Sequence, residues 1–293
     1  INPDFGQIEF DPEHINLSYY ETYYDERRPF FMESSTLFDT PIEMFYSRKI
    51  GMNQKYISGK WNDKKDALIK GAIKLSGKTT NGLSYGLISA LTTDEESGDW
   101  SHKMINGDNT TFLITRLTKD FFSGNSYVGF MSTQYNGNSN ISNVISLDAL
   151  SYLFDNKLYF DGQIISSNVN KSSGLGISIE GKYTTDSNIT SSVDYEFYDR
   201  KLDISHVGFL KRNNLKKIKL QLELHSSEMI IPTIIRSLDV DFTANYKTNL
   251  DDIILDKYFG MNILIDFLNN YYFSSSYYYQ YKRSDDRILY DYK

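Results

Sequence analysis

The sequence predicts an all-β protein: an antiparallel up-and-down transmembrane β-barrel of long strands, with an irregular, plug-like N-terminal segment. Three observations carry this reading. Apolar and polar residues alternate with period two, most strictly where Ile218, Leu220, Leu222 and Leu224 oppose Lys219, Gln221, Glu223 and His225. The alternating segments run roughly nine to eleven residues, the length a tilted strand needs to cross a bilayer, whereas strands of soluble sheets are nearer five or six. The composition is polar yet aromatic: 24 Tyr and 18 Phe contribute to 15% aromatics, against 40% hydrophobic residues and a mean hydropathy of −0.46. A barrel strand needs one apolar face and interfacial aromatic belts, so it fits this combination better than a soluble core does. An apolar run of about eighteen residues, the mark of a spanning helix, is absent; a spanning barrel needs none.

The totals bound the rest. The 293 residues read as one barrel domain, with 1–43 a strand end plus the plug-like segment and 44–293 the antiparallel strands. A net charge of −7 gives no basic stripe to neutralise phosphates, which argues against nucleic acid as a partner. Lys211-Arg212 and Lys216-Lys217 form the densest basic patch and read as a solvated turn between strands. With no cysteine, disulfides, thiolate catalysis and cysteine metal sites all drop out. The chain opens on Ile1 without a signal peptide and ends without a terminal aromatic strand residue, so it reads as a fragment of a longer protein. Closure of the barrel within these residues is not required by the pattern.

Taken in order, the first segment is the least regular. It holds Pro3, Pro12 and Pro29 of the five prolines, a run of carboxylates, Arg27-Arg28, and a cluster of Tyr and Phe. Pro29 biases Arg28 toward extended backbone, which makes the Arg-Arg-Pro turn rigid. Two uses are open. Phe30, Phe31 and neighbouring rings pack against lumenal side chains while Arg27 and Arg28 pair with Glu21, Glu26 or Glu33; or these same residues bind a ligand. The packed connection is the favoured use, and inside a barrel it acts as a constriction or partial plug.

Strands follow from Met44. In the first clear hairpin, Ile69, Gly71, Ile73 and Leu75 alternate with Lys70, Ala72, Lys74 and Ser76, and Asn81-Gly82 supplies the turn. A polar loop spans Thr93 to Asn109. Phe112–Phe122 and Tyr127–Tyr135 form the next pair. Further alternation runs through Leu175–Thr184, Ile189–Phe197 and Leu238–Tyr246. The charged faces place Lys70, Lys74, Arg116, Glu180, Lys182, Asp194 and Glu196 toward the lumen, with Asp148, Asp161, Lys219, Glu223, Asp239 and Asp241. There they either cross-link the wall or filter solutes. Tyr271-Tyr272-Phe273 and Tyr277-Tyr278-Tyr279 fit interfacial belts or cross-strand ring packing.

Several runs carry a family resemblance. Asn2-Pro3-Asp4-Phe5, Gln7, Glu9, Asp11-Pro12, Asn16-Leu17 and Glu26-Arg27-Arg28-Pro29-Phe30-Phe31 stand in the order of the opening signature of the outer-membrane barrel domain called domain of unknown function 5916. Tyr46-Ser47-Arg48-Lys49-Ile50-Gly51, with Lys49 in place of an arginine, and Gly71-Ala72-Ile73-Lys74-Leu75-Ser76-Gly77-Lys78 resemble two further motifs of it. The match is densest through Asn136. The resemblance implies a bacterial outer-membrane location, contact with outer-membrane lipid, and an upstream carbohydrate-binding module in the intact protein. It implies no activity.

The search for chemistry is brief. His14, His102, His206 and His225 lack metal-ligand spacing, and no nucleophile elbow or phosphate loop occurs. Asp94-Glu95-Glu96 with Asp99, Asp251-Asp252 and Asp285-Asp286 read as solvated acidic loops. No metal and no cofactor is expected. The leading functional expectation is binding or passage of a small solute or glycan across the envelope. The alternative is a surface polysaccharide hydrolase working through carboxylates of the Tyr19–Phe38 segment or the loops. A third is a soluble β protein with an interaction role.

Overall fold

The computed structural model describes residues 21–52, 67–93, 109–137, 140–226 and 234–283. The Thr93–Asn109 loop interior, His14, His102 and the first part of the opening signature lie outside them. Twelve strands form one antiparallel sheet in sequence order: β1 (Leu68–Lys78), β2 (Leu83–Thr93), β3 (Asn109–Phe121), β4 (Ser126–Asn136), β5 (Ile141–Leu153) and β6 (Leu158–Val169), then β7 (Ser172–Thr184), β8 (Ile189–Tyr198), β9 (Leu215–Ser226), β10 (Ile235–Thr248), β11 (Ile254–Phe267) and β12 (Tyr272–Lys282). The up-and-down order and all-β class are as the alternation predicts. Among the described residues β1 and β12 are the two ends of this order, and the sheet is not closed. The strands run from 10 to 14 residues, at or above the expected length.

Turn chemistry fixes the register. Gly82 adopts φ +79°, the conformation the Asn81-Gly82 signal calls for, and Thr79 caps the turn by accepting from the Gly82 amide and donating its hydroxyl to Leu83 O. Asn156, Asn170, Asn188, Asn214 and Asn270 take positive φ at five later turns, where their short polar side chains tolerate it. One expectation fails at the first strand. A bulge between Ile69 and Gly71 adds a residue, so the alternation changes face midway. Ile69 therefore shares the buried side with Ala72 and Lys74, and Lys70 bonds Asn109 from an exposed position. Met44–Gly51 is also no strand: it carries a short 3-10 turn over Ser47–Lys49, and the sheet begins at Leu68.

The chain divides into two compact units. Unit 1 comprises residues 1–148, 163–175 and 201–213; unit 2 comprises 149–162, 176–200 and 214–293. In unit 1 the exposed faces of the strands are largely apolar, and the buried faces mix polar residues with apolar ones such as Ile88, Phe112, Ile114, Met131 and Ile165. On β5, Ser142, Val144, Ser146 and Asp148 are buried while Ile141, Ile145 and Leu147 are 54%, 52% and 62% exposed. On β6, Gln163 and Ser167 are buried and Ile164 is exposed. The inner side, polar groups included, is buried because two inner segments of the same chain lie over it. They are residues 21–52, here the cover, and 201–213, the connection between β8 and β9, here the clasp.

Candidate functional site

The cover is built around Arg28. Its extended backbone, imposed by Pro29, opens a one-turn helix over Pro29–Met32. Its guanidinium is buried and makes four hydrogen bonds: Nη2 donates to Glu26 Oε2 at 2.6 Å and to Ser47 O at 2.7 Å, Nη1 to Ile50 O at 2.7 Å, and Nε to Glu26 Oε1 at 2.9 Å. Its carbon stands 4.3 Å from the centre of the Phe31 ring, a cation–π contact, and Phe30 meets Phe31 edge to face at 5.0 Å. Burial alone would raise the Glu26 pKa. The hydrogen bonds and charge of Arg28, with the Ser47 hydroxyl, outweigh it and hold the carboxyl at about 2. Arg27 is exposed, and its amide donates to Glu26 Oε1.

The pairing differs in part from the sequence reading. Glu26 takes Arg28 as expected, but Glu21 takes Lys49, whose Nζ lies 2.6 Å from Glu21 Oε2. The motif comparison marks Lys49 only as a replacement for an arginine; in the fold it is a fully buried cation, at 1% exposure. Glu33 enters through its backbone. Lys74, reaching in from β1, donates to the carbonyls of Phe30 and Phe31 at 3.3 Å and to that of Glu33. A cation on the last carbonyls of a helical turn is the favourable end for it.

The clasp locks onto the cover through backbone bonds. Tyr46 N donates to Val207 O at 2.8 Å and Phe209 N to Glu43 O at 2.9 Å. Gly208 makes this possible, since a Cβ there would stand 2.5 Å from Glu43 O. Tyr23 stacks on Tyr46 at 4.8 Å, Phe209 packs edge-on against both, and Tyr23 donates its hydroxyl to Glu43 at 3.0 Å. Burial pushes the Tyr46 phenol up to about 12 and raises Asp39 and Glu43 as well. His206, buried with its ring 4.7 Å from Tyr135, is held below the usual histidine range by burial, with Lys49 adding to that and Asp203 opposing it. Arg212 is buried in the clasp, so Lys211-Arg212 is not the solvated turn the charge pattern suggests.

Both segments are seated on the sheet at places a side chain would block. Arg116 on β3 makes a bidentate pair with Asp148 on β5, at 2.5 and 2.7 Å, and its Nε donates to Leu37 O at 3.2 Å. The pair passes over Gly129 of β4, where a Cβ would lie 2.6 Å from Arg116 Nη1. A Cβ on Gly86 would lie 2.6 Å from Phe38 Cζ, and one on Gly174 2.2 Å from Leu202 N. Gln163 accepts the Ile42 amide at 2.6 Å.

Unit 2 carries the charge ladder. Glu180 faces Asp194 across β7–β8, Asp194 faces Lys219, and Glu196 faces Lys217 with Nζ–Oε1 at 2.6 Å. Lys182 lies opposite Ser192, and Glu223 opposite Asp241. These side chains are exposed or half-buried, unlike the polar face of unit 1. The aromatic run on β12 is exposed along its length, with Phe259 and Tyr277 rings 6.4 Å apart.

Chemically, the cover offers packed ion pairs. Glu21 and Glu26 are each committed to a cation, which leaves neither as the unpaired acid or base that glycoside hydrolysis needs. Among the described residues no group of three or more His, Asp or Glu side chains is placed to hold a metal ion. A family model described as a domain of unknown function (DUF5916) matches residues 1–291. No curated protein and no solved structure matches the chain.

Proposed function

The chain belongs to the family described as a domain of unknown function (DUF5916), and we propose that it forms wall and filling of a bacterial outer-membrane β-barrel that binds or passes a small polar solute or glycan. The observation that carries this is the exposed apolar face of the unit 1 strands, set against the polar groups buried on their other face. Ile73, Ile145, Leu147 and Ile164 stand 52–71% exposed on one face while serines, threonines, Arg116 and Asp148 are buried on the other, beside apolar residues such as Ile88, Ile114 and Met131. Water makes such an arrangement unfavourable; hydrocarbon on the outer face makes it the stable one. Strand lengths of 10 to 14 residues supply the span, and the exposed β12 tyrosines suit a headgroup belt. Lipid is thus the principal partner, with a carbohydrate-binding module upstream in the intact protein.

The test is expression of the intact reading frame in a Gram-negative host, followed by envelope fractionation and gel mobility before and after boiling. Outer-membrane recovery with a heat-dependent shift is expected. Ile145→Lys should reduce that recovery sharply, since a lysine at the bilayer midplane costs about 2–4 kcal/mol. A soluble product with no shift, whose Ile145→Lys variant is as abundant as the parent, overturns the reading.

A further inference from the structure

We infer that the cover and the clasp are a permanent stopper of unit 1, cooperative with its strands, and not a gate displaced to let a solute through. The inference rests on the membrane reading for the meaning of "stopper" and goes beyond it in saying which polar face is closed. Three observations carry it.

The first is what the core is made of. Phe31, Phe38, Met44, Ile50, Leu202 and Ile204 are each at most 3% exposed, and all belong to the two inner segments. They pack a core shared with the strands, where Ile88, Phe112, Ile114, Met131 and Ile165 are each at most 1% exposed, so displacing the two segments would remove half of that core and bare the other half. A gate is normally drawn from the weakly packed end of a structure, and these residues are at the opposite end.

The second is the polar attachment. Arg116 Nε on Leu37 O, Lys74 on three carbonyls, and the Gln163 oxygen on the Ile42 amide tie the cover to β1, β3 and β6. Sliding the cover out strands buried polar groups on both partners together. Third, the clasp closes over the cover through paired backbone bonds at Tyr46 and Phe209, with Gly208 removing the steric block. The clasp is carried between β8 and β9, so it holds residues far earlier in the chain, and neither segment can leave alone.

Hydrogen exchange on the intact protein in detergent reads the inference directly. Peptides covering 28–50 and 202–209 should exchange at rates within about threefold of those from β2 and β3, as one cooperative unit does. Exchange of the cover more than about tenfold faster than the strands overturns it. A disulfide staple gives a second reading, in a chain free of native cysteine. Ser34 and Ser76 hydroxyls lie 3.4 Å apart, so Ser34→Cys with Ser76→Cys ties the cover to β1. Bilayer conductance in potassium chloride should be the same oxidised and reduced. A current that appears only on reduction overturns the stopper. Membrane recovery is scored separately, so a mobile cover in a membrane-recovered protein sinks this inference alone, and a soluble product sinks the membrane reading alone.

Discussion

Replacing Asp148 by Asn tests how the strands of unit 1 hold their buried charge. Both members of the Arg116–Asp148 pair are essentially dry, with side chains 1% and 0% exposed, and the fork geometry gives two bonds of 2.5 and 2.7 Å. The substituted amide could accept one of them but could not neutralise the guanidinium. Removing one partner of such a pair costs about 3–5 kcal/mol, two to three powers of ten or more in the folding equilibrium, because a charge is left buried. Exchanging both partners for apolar residues of similar size removes that penalty, so Arg116→Met with Asp148→Leu should lie within about 1–2 kcal/mol of the parent. Urea unfolding in detergent, followed by far-ultraviolet circular dichroism, reads both. Gly129→Ala acts on the same pair from the strand between, since its Cβ would come 2.6 Å from Arg116 Nη1 and 2.7 Å from both Asp148 oxygens. Gly129→Ala should therefore be destabilising in the parent and much less so in the apolar double variant. A Gly129→Ala penalty of the same size in both backgrounds would refute the argument, as would a cost under about 1 kcal/mol for Asp148→Asn.

Three other perturbations act on the cover, the clasp and their seats. Glu26 titrates at about 2 when folded against an ordinary 4.5, so its stabilisation is complete above about pH 4.5 and is lost as pH falls toward 2. Allowing for solvent screening it is worth about 2 kcal/mol, and Glu26→Gln should flatten acid unfolding profiles across that window. Gly86→Ala drives a methyl into the Phe38 ring and should cost about 1–3 kcal/mol, with Phe38→Leu in the same chain recovering part of it in thermal melts. Gly174→Ala meets the backbone of Leu202 at 2.2 Å, where no rotamer change helps, so its loss should exceed that of Gly86→Ala. If the two alanines cost the same, the clasp is not seated where the geometry places it.

How much of this is legible in the sequence depends on the range of the interaction. Hairpins are local: alternation with period two and the Asn81-Gly82 turn mark β2 to β4 and β7 to β10 from neighbouring residues alone. The bulge at Ile69–Gly71 is one residue long and leaves no mark in the pattern, so alternation puts Lys70 and Lys74 on one face where the structure separates them. The charged segment is recognisable as packed filling from Arg-Arg-Pro and its rings, and the Arg28–Glu26 pair lies two residues apart. Lys49 is not, since a buried lysine looks like a surface one until its partner, Glu21, is brought to it. The clasp is the least legible part. Its buried residues Leu202, Ile204 and Val207 follow no strand alternation, and the cover they meet lies far earlier in the chain. A local trace exists even so. Gly86, Gly129 and Gly174 stand at inward positions of three strands, where a glycine weakens a strand unless another chain segment approaches closely. Together they mark the line along which the cover, the Arg116 pair and the clasp cross the sheet.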